Sequence, residues 1–195
     1  MKAMILAAGR GERMRPLTDT LPKPLLLVAG KSLIQRNITR LKKAGINNFV
    51  VNTAWHASKL RQELGDGSNL AVHIAYSDEG DAALETGGGI LRALPQLGEA
   101  PFWLVNADVL CDFDYARMDL AEGMLAHLIL IPNPDHNPEG DFVLREGLVM
   151  PDDSPGNRYT FAGISIVHPD LLSLSIEKTE SFPLAPLLRR AAELG

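Results

Sequence analysis

The sequence predicts an α/β fold in which a mostly parallel, mixed sheet is covered by helices on both faces. Short apolar runs alternate along the chain with segments whose apolar residues recur every three or four positions. Small and polar turn residues follow several of these runs, as expected where a strand passes into a loop. A length of 195 residues with 46% hydrophobic content is enough for a single domain with a substantial core.

The predicted strands follow from apolar runs and the turn residues beside them. The first is Met4, Ile5 and Leu6, and residues 24–28 are also apolar and expected to be extended. Further strands are predicted at residues 49–51, 72–76, 102–105, 126–131 and 161–167, with a hairpin of residues 141–144 and 148–150. Because ligands of parallel sheets collect at the carboxyl ends of the strands, we expect functional residues after residues 6 and 105.

Four helices are predicted, at residues 32–43, 57–64, 85–94 and 184–194. In the first, Leu33, Ile34, Ile38 and Leu41 fall on one face and predict its buried side. Proline lacks a backbone N–H and clashes with the preceding turn, so Pro95 is predicted to stop the third helix.

Composition excludes several classes of protein. A formal net charge of −5 argues against binding a nucleic-acid backbone, which needs a broad basic face. A lone Cys111 excludes a disulfide framework and a cysteine-rich metal site. No apolar run approaches the roughly 18 residues of a membrane span. We therefore expect a cytoplasmic protein without a membrane or nucleic-acid partner.

The stretch from Leu6 to Pro24 carries the clearest functional signal. Residues 1–31 have a local charge of +4, against −9 for the remainder of the chain. Small residues allow backbone N–H groups to approach a ligand, and neighbouring cations can neutralise several negative charges. This combination favours a polyphosphate, and we expect a nucleoside triphosphate. A solvated basic loop is the alternative.

Two common phosphate-binding motifs do not fit this stretch. Gly9 and Gly11 could begin a dinucleotide fingerprint, but Met14 stands where the third glycine is required. Residues 30–32 (Gly-Lys-Ser) match the end of a P-loop, whereas Leu25 stands where its first glycine is required. The loop is therefore predicted to bind a triphosphate in a different way.

Residues 6–13 and 22–24 resemble the signature loop of the sugar-1-phosphate nucleotidyltransferases. The resemblance is carried by residues 6–13 (Leu-Ala-Ala-Gly-Arg-Gly-Glu-Arg) with residues 22–24 (Pro-Lys-Pro), and it runs from Met1 to about residue 190. Further matching segments are residues 52–55, 84–89, 106–108, 140–142, 161–163 and 182–186. The resemblance implies a Rossmann-like three-layer sandwich.

The resemblance also implies a set of nucleotide-binding and catalytic residues. Arg13 would stabilise the leaving phosphates, Lys23 would lie between the two substrates, and Asp108 would bind Mg²⁺; these three are the predicted catalytic residues. The predicted nucleotide-binding residues are Leu6, Ala7, Ala8, Gly9, Gly11, Arg13, Lys23, Glu85, Thr86 and Gly87, and the predicted sugar-binding residues are Asn106, Gly140 and Asp141. Asp108 directly follows an apolar strand, where the other interpretation is an ordinary helix cap.

The activity implied is transfer of a uridylyl group from UTP to a sugar 1-phosphate. The uridylyltransferases of cell-wall recycling, which act on N-acetylmuramate α-1-phosphate, are the most similar branch. A guanylyltransferase acting on mannose 1-phosphate and a non-catalytic nucleotide-binding module are the alternatives. A monomer or weak dimer is expected. Family members continue past the final helix into a further strand with a second metal-binding aspartate and then a closing helix. The present sequence ends at Gly195, so we expect it to lack that strand and helix.

Overall fold

A mixed sheet forms the centre of the protein, whose computed structural model describes residues 1–80, 84–175 and 180–195. Across these residues eight strands join in the order β5-β4-β1-β6-β10-β8-β9, with β7 also paired to β10. They are β1 Lys2–Leu6, β4 Asn48–Thr53, β5 His73–Asp78, β6 Phe102–Asn106, β7 Ala126–Ile131, β8 Phe142–Arg145, β9 Leu148–Met150 and β10 Asn157–Val167. A separate small ribbon pairs β2 Leu27–Val28 with β3 Lys31–Ser32.

The strand order places a topological switch at β1. The strands β5, β4, β1 and β6 are parallel, and the chain fills the β4 side of β1 before it crosses to β6 on the other side. Strands β10, β7, β8 and β9 extend the sheet with antiparallel pairs. In sheets of this kind, ligands bind in the crevice where the winding direction reverses.

Helices cover both faces of the sheet because side chains alternate along each strand. On β1, Ala3 and Ile5 enter one apolar core and Met4 enters the other, and all three are fully buried. The first core packs against α1 Leu33–Lys43 and α2 Ala57–Leu64, and the second packs against α3 Glu85–Leu97 and α4 Ala185–Leu194. The predicted α/β class with helices on both faces is confirmed.

Local sequence explains how the first helix begins. The Ser32 hydroxyl accepts from the Gln35 backbone N–H, while the Gln35 side chain accepts from the Ser32 N–H, each at 3.3 Å. This reciprocal capping box satisfies two donors that a helix start otherwise leaves unpaired. Leu33, Ile34 and Ile38 of this helix are buried, as their spacing predicted.

Two predictions that involve segments with a proline are wrong. Pro95 does not stop α3, which continues to Leu97 and ends at Gly98, where φ is +89°. Because Pro95 lies only two residues before the end of α3, its missing N–H costs one hydrogen bond, and there are few later turns to disturb. The extended segment predicted at residues 24–28 begins instead as a 3₁₀ turn, Lys23–Leu25, because the φ of Pro24 is compatible with a helical turn.

None of the helices in the described residues combines the length and the hydropathy that a membrane span requires.

Candidate active site

The carboxyl ends of β1 and β6 bring the two predicted catalytic segments together. Leu6 lies beside Asn106 in the parallel ladder, and the backbone N–H of Ala107 donates to the Leu6 carbonyl at 3.1 Å. After β1 the chain continues into the loop that starts at Ala7, and after β6 it continues to Asp108. The site predicted from sequence therefore has its two halves at the switch point of the sheet.

The loop after β1 lines an open cavity of about 380 Å³ with Arg10, Gly11, Glu12, Arg13, Met14 and Lys23. Gly11 has φ +65°, and the Thr18 hydroxyl donates to its carbonyl at 2.9 Å. A Cβ at Gly11 would lie 3.0 Å from the Thr18 methyl and 3.1 Å from the Lys23 Cβ. Glycine is therefore required here both by the left-handed backbone and by the close return of the chain.

Cationic side chains at this cavity are available to an anion. Arg13 is exposed, and in the described part of the chain it forms no ion pair. The Arg10 guanidinium lies 5.5 Å from the Trp55 ring centroid, a cation–π contact. Arg15 pairs with Asp19 at 3.4 Å, with both side chains about half exposed. Arg13 and Lys23 thus face one open, positively charged cavity, which suits a polyphosphate.

Lys23 and Asp108 form an ion pair between the two halves of the site. The Lys23 Nζ donates to Asp108 Oδ2, and the side chains are 27% and 37% exposed. Lys23 begins the 3₁₀ turn on one side of the site, and Asp108 lies two residues after the end of β6 on the other. Each group is only partly desolvated, so each can exchange its partner for a ligand without a large burial cost.

Contacts with the start of α2 hold the outer part of the loop. His56 Nε2 lies 3.1 Å from the Asp19 carbonyl, and the Lys59 ammonium donates to the Thr20 carbonyl. Trp55 packs beside His56 with ring centroids 4.4 Å apart. Trp55 is half-buried and lies beside Arg10 of the loop.

A buried polar pair joins the loop to the beginning of α3. The backbone N–H of Ala7 donates to Asn52 Oδ1 at 2.6 Å, and Asn52 Nδ2 donates to Glu79 Oε1 at 2.6 Å. Glu79 Oε2 accepts from the Leu84 backbone N–H at 2.9 Å. Asn52 and Glu79 are 3% and 5% exposed. Their polar character at strand ends was visible in the sequence, but their partnership was not.

The glycine tract of α3 packs against the protein's own chain. A Cβ at Gly87 would lie 2.4 Å from the Phe182 ring, and one at Gly88 would lie 2.0 Å from the Glu180 carbonyl oxygen. The Gly87 N–H also donates to the Phe182 carbonyl at 2.9 Å. The close backbone approach expected toward a nucleotide is thus used at Gly87 by residues 180–182. A nucleotide contact by Gly87 stays a prediction.

Glu85 and Thr86 lie at the exposed start of α3. Glu85 is exposed with φ +57°, a left-handed conformation that is uncommon for residues other than glycine, and Thr86 is half-buried. A non-glycine residue in this conformation is a candidate functional position. Their predicted contact with the nucleotide remains a prediction.

Two of the three predicted sugar-binding residues are engaged within the protein. Asp141 Oδ1 accepts from Asn137 Nδ2 at 3.1 Å, and its Oδ2 accepts from the Phe161 N–H at 2.8 Å. Gly140 has φ +65° and lies against the Asn133 side chain. Both residues lie just before β8, and Asp141 is bonded to Phe161 of β10, two residues before Gly163, where an added Cβ would lie 2.6 Å from Asn106 Nδ2. Their sugar contacts stay predictions, and the geometry assigns Asp141 a clear structural role.

The described residues of this site can supply only part of the coordination shell of a divalent cation. No group of three or more His, Cys, Asp or Glu side chains that could hold a metal occurs within residues 1–80, 84–175 and 180–195. Asp108 offers one partly exposed carboxylate beside the cavity that Arg13 and Lys23 line. Mg²⁺ commonly binds one or two carboxylates and completes its shell with waters and substrate phosphates. The donor set is therefore compatible with Mg²⁺ brought together with a phosphate ligand.

Comparison with known proteins gives a consistent result. Residues 2–140 match the nucleotidyl transferase family. An N-acetylmuramate α-1-phosphate uridylyltransferase of Neisseria meningitidis serogroup B is 52% identical over 195 residues, covering 97% of this chain and 84% of the relative. The enzyme of the same name from Caulobacter vibrioides is 35% identical over 213 residues, covering 99% of this chain and 85% of the relative.

The fold is also shared with solved structures of low sequence identity. The inositol-1-phosphate CTP transferase from T. maritima superimposes with a TM-score of 0.82 at 21% identity, covering 100% of this chain and 82% of that chain. This likeness concerns the fold alone, and it confirms the Rossmann-like architecture. The match over residues 2–140 and the identity of 52% over nearly the whole chain establish that the protein belongs to the nucleotidyl transferase family.

Proposed function

We propose that this protein transfers a uridylyl group from UTP to N-acetylmuramate α-1-phosphate, with release of pyrophosphate. The observation that carries the proposal is the meeting of Lys23 and Asp108 at the switch point of the sheet, beside the cavity lined by Arg13. Its specific form is supported by 52% identity to a relative that bears this activity in its name. Cytoplasmic cell-wall recycling is the process to which this reaction would belong.

The reaction exchanges one phosphorus–oxygen bond for another. An oxygen of the sugar phosphate attacks the α-phosphorus of UTP, and the bond from that phosphorus to the bridging oxygen of the β-phosphate breaks. The electron pair of the broken bond stays on the departing pyrophosphate. A phosphate monoester has a second pKa of about 6 and is mostly a dianion at neutral pH. The nucleophile therefore needs no general base, and catalysis rests on positioning and charge neutralisation.

The cationic residues have separate tasks in this scheme. Arg13, exposed at the mouth of the loop, binds the β- and γ-phosphates and stabilises the charge that grows on the leaving pyrophosphate. Lys23 lies nearer to Asp108 and neutralises the reacting phosphates of both substrates. When UTP enters, Lys23 exchanges its bond to Asp108 for bonds to phosphate oxygens.

Asp108 is the proposed protein ligand of Mg²⁺. The ion would supply charge neutralisation at the α-phosphate, which reduces the repulsion between two anionic substrates. Asp108 reaches the site directly from the end of β6, and the loss of its Lys23 partner leaves the carboxylate free to bind a cation.

Pyrophosphate release measured with a small substrate matrix tests the proposal. UTP, GTP and dTTP are each combined with the 1-phosphates of N-acetylmuramate, mannose and glucose in the presence of Mg²⁺. We expect the largest kcat/KM for UTP with N-acetylmuramate α-1-phosphate. A preference for GTP with mannose 1-phosphate would replace the proposal with the guanylyltransferase alternative. UTP binding without pyrophosphate release from any pair would instead support a non-catalytic nucleotide-binding module.

A further inference from the structure

We propose that Asn52 and Glu79 are positioning residues that hold the phosphate-binding loop and the start of α3 in one register. Neither residue needs to touch the substrate in this role. The inference rests on the proposed function, because it assumes that the nucleotide spans these two segments.

The amide of Asn52 is oriented by its two neighbours. Ala7 presents a backbone N–H, which only donates, and Glu79 presents a carboxylate, which only accepts. The amide oxygen must therefore face Ala7 and the amide nitrogen must face Glu79. The two bonds, each 2.6 Å long, fix the Asn52 side chain in a single arrangement across the end of β4.

The carboxylate of Glu79 completes the chain of hydrogen bonds. Its second oxygen accepts from the Leu84 N–H, and its own backbone N–H donates to the Thr53 carbonyl at 2.8 Å. Both carboxylate oxygens thus face donors, as a buried charge requires. The result is a continuous path from Ala7 through Asn52 and Glu79 to Leu84, the residue immediately before α3.

The close approach of α3 shows that this pair is part of the packing. A Cβ at Gly89 would lie 2.5 Å from Glu79 Oε1 and 3.2 Å from Asn52 Nδ2. The third glycine of the tract is therefore required by the polar pair beneath the helix. A rearrangement of the pair would shift the first turn of α3, which carries Glu85 and Thr86.

Substitutions that exchange donors and acceptors separate this role from a direct substrate contact. In Glu79→Gln, one of the two donors at this position meets an amide nitrogen, so one bond is lost. In Asn52→Asp, two carboxylates face each other. In the double variant Asn52→Asp/Glu79→Gln, the carboxylate at position 52 accepts from Ala7 and from the new amide, whose oxygen accepts from Leu84. All three bonds are restored with the charge moved to the other end.

The test measures UTP affinity by calorimetry, kcat and KM by pyrophosphate release, and amide hydrogen exchange at Ala7 and Leu84. We expect Glu79→Gln to raise the Kd and KM for UTP about tenfold, as for loss of one hydrogen bond to a charged group, with kcat changed less than about threefold. It should also accelerate exchange at Ala7, which Glu79 does not touch. The double variant should return affinity to within about threefold of the parent protein.

Two controls separate positioning from general instability. Ile90→Val removes a buried methyl group from α3 without touching the pair, and Glu99→Gln changes an exposed carboxylate. Neither should alter UTP affinity. The inference is overturned if Glu79→Gln leaves UTP affinity and Ala7 exchange unchanged, or if the double variant binds UTP as weakly as Glu79→Gln. If the parent protein binds no UTP, the proposed function fails, while Ala7 exchange in Glu79→Gln still decides whether the pair transmits order between the segments.

Discussion

Replacing Lys23 with methionine is expected to abolish most of the turnover while leaving the fold intact. The substitution keeps the apolar part of the side chain and removes the charge that binds Asp108. With side chains 27% and 37% exposed, the ion pair should contribute about 1 kcal/mol or less to the free energy of unfolding. The thermal midpoint should therefore fall by only a few degrees.

The expected kinetic loss is much larger than the loss of stability. Two unit charges about 4 Å apart at an effective dielectric constant of about 20 interact by about 4 kcal/mol, and removal of one corresponds to roughly a thousandfold in rate. Asp108→Asn should reduce kcat by a similar factor in the presence of Mg²⁺. Because both residues are proposed to act on the same reacting phosphates, the double variant should be little worse than either single variant.

UTP affinity without divalent metal distinguishes the two variants by sign. Lys23→Met leaves the Asp108 carboxylate unpaired beside the incoming triphosphate, so affinity should fall. Asp108→Asn removes that carboxylate and frees the lysine, so affinity should rise. Calorimetry in a chelator measures both, with Lys43→Met at the exposed end of α1 as the control. A kcat loss below tenfold in Lys23→Met, or a fall in UTP affinity in both variants, would refute the assignment.

Three further predictions concern α3 and the core. Gly89→Ala should lower the free energy of unfolding by about 1–3 kcal/mol in urea, since the clash with the anchored Glu79 outweighs the better helix propensity of alanine. Glu85→Gly should raise the free energy of unfolding by about 0.5–1 kcal/mol, because glycine relieves the strain of the positive φ. Calorimetry should show weaker UTP binding in the same variant, since the predicted Glu85 contact is lost. A loss of stability would contradict the strain argument. Burial raises the pKa of Tyr115, so stability is complete below the unfolded pKa of about 10 and falls above it, by at most about 1.4 kcal/mol per pH unit. Tyr115→Phe should flatten this fall in urea titrations between pH 9 and pH 11, and an unchanged slope would contradict it.

Periodicity predicted most of the fold because each element carries its own pattern. The α1 residues Leu33, Ile34 and Ile38 repeat at helical spacing and are buried accordingly. The hairpin of β8 and β9 forms around Glu146 and Gly147, both with positive φ, as turn residues there suggested. Such signals are local, so they survive without knowledge of the rest of the chain.

Local rules were wrong where position within an element decided the outcome. A proline usually breaks the interior of a helix, but Pro95 lies near the end of α3 and is tolerated there. Pro24 favours a helical turn where an extended segment was predicted. The glycine tract shows a related ambiguity. Glycine is required equally where a ligand approaches the backbone and where another part of the chain does. The sequence does not distinguish the two cases, and in the structure it is Phe182 that lies against Gly87.

The partnership of Asn52 with Glu79 could not be predicted from local pattern. The residues are 27 positions apart, and their contact depends on the register that sets Asn52 beside Leu6 and Ser77. Lys23 and Asp108 are 85 positions apart but were predicted to act together, because the family resemblance supplied a relation that periodicity does not contain.

The two polar pairs stand in contrasting environments that suit different tasks. Asn52 and Glu79 are almost fully buried, so breaking their bonds is costly and their geometry stays fixed. Lys23 and Asp108 are partly exposed, so their bond can open for a substrate at low cost. Water next to a buried pair would weaken its positioning, and burial of the ion pair would raise the cost of exchanging Lys23 for phosphate. An active site that must hold two loops in register and still admit a polyanion therefore needs one pair of each kind.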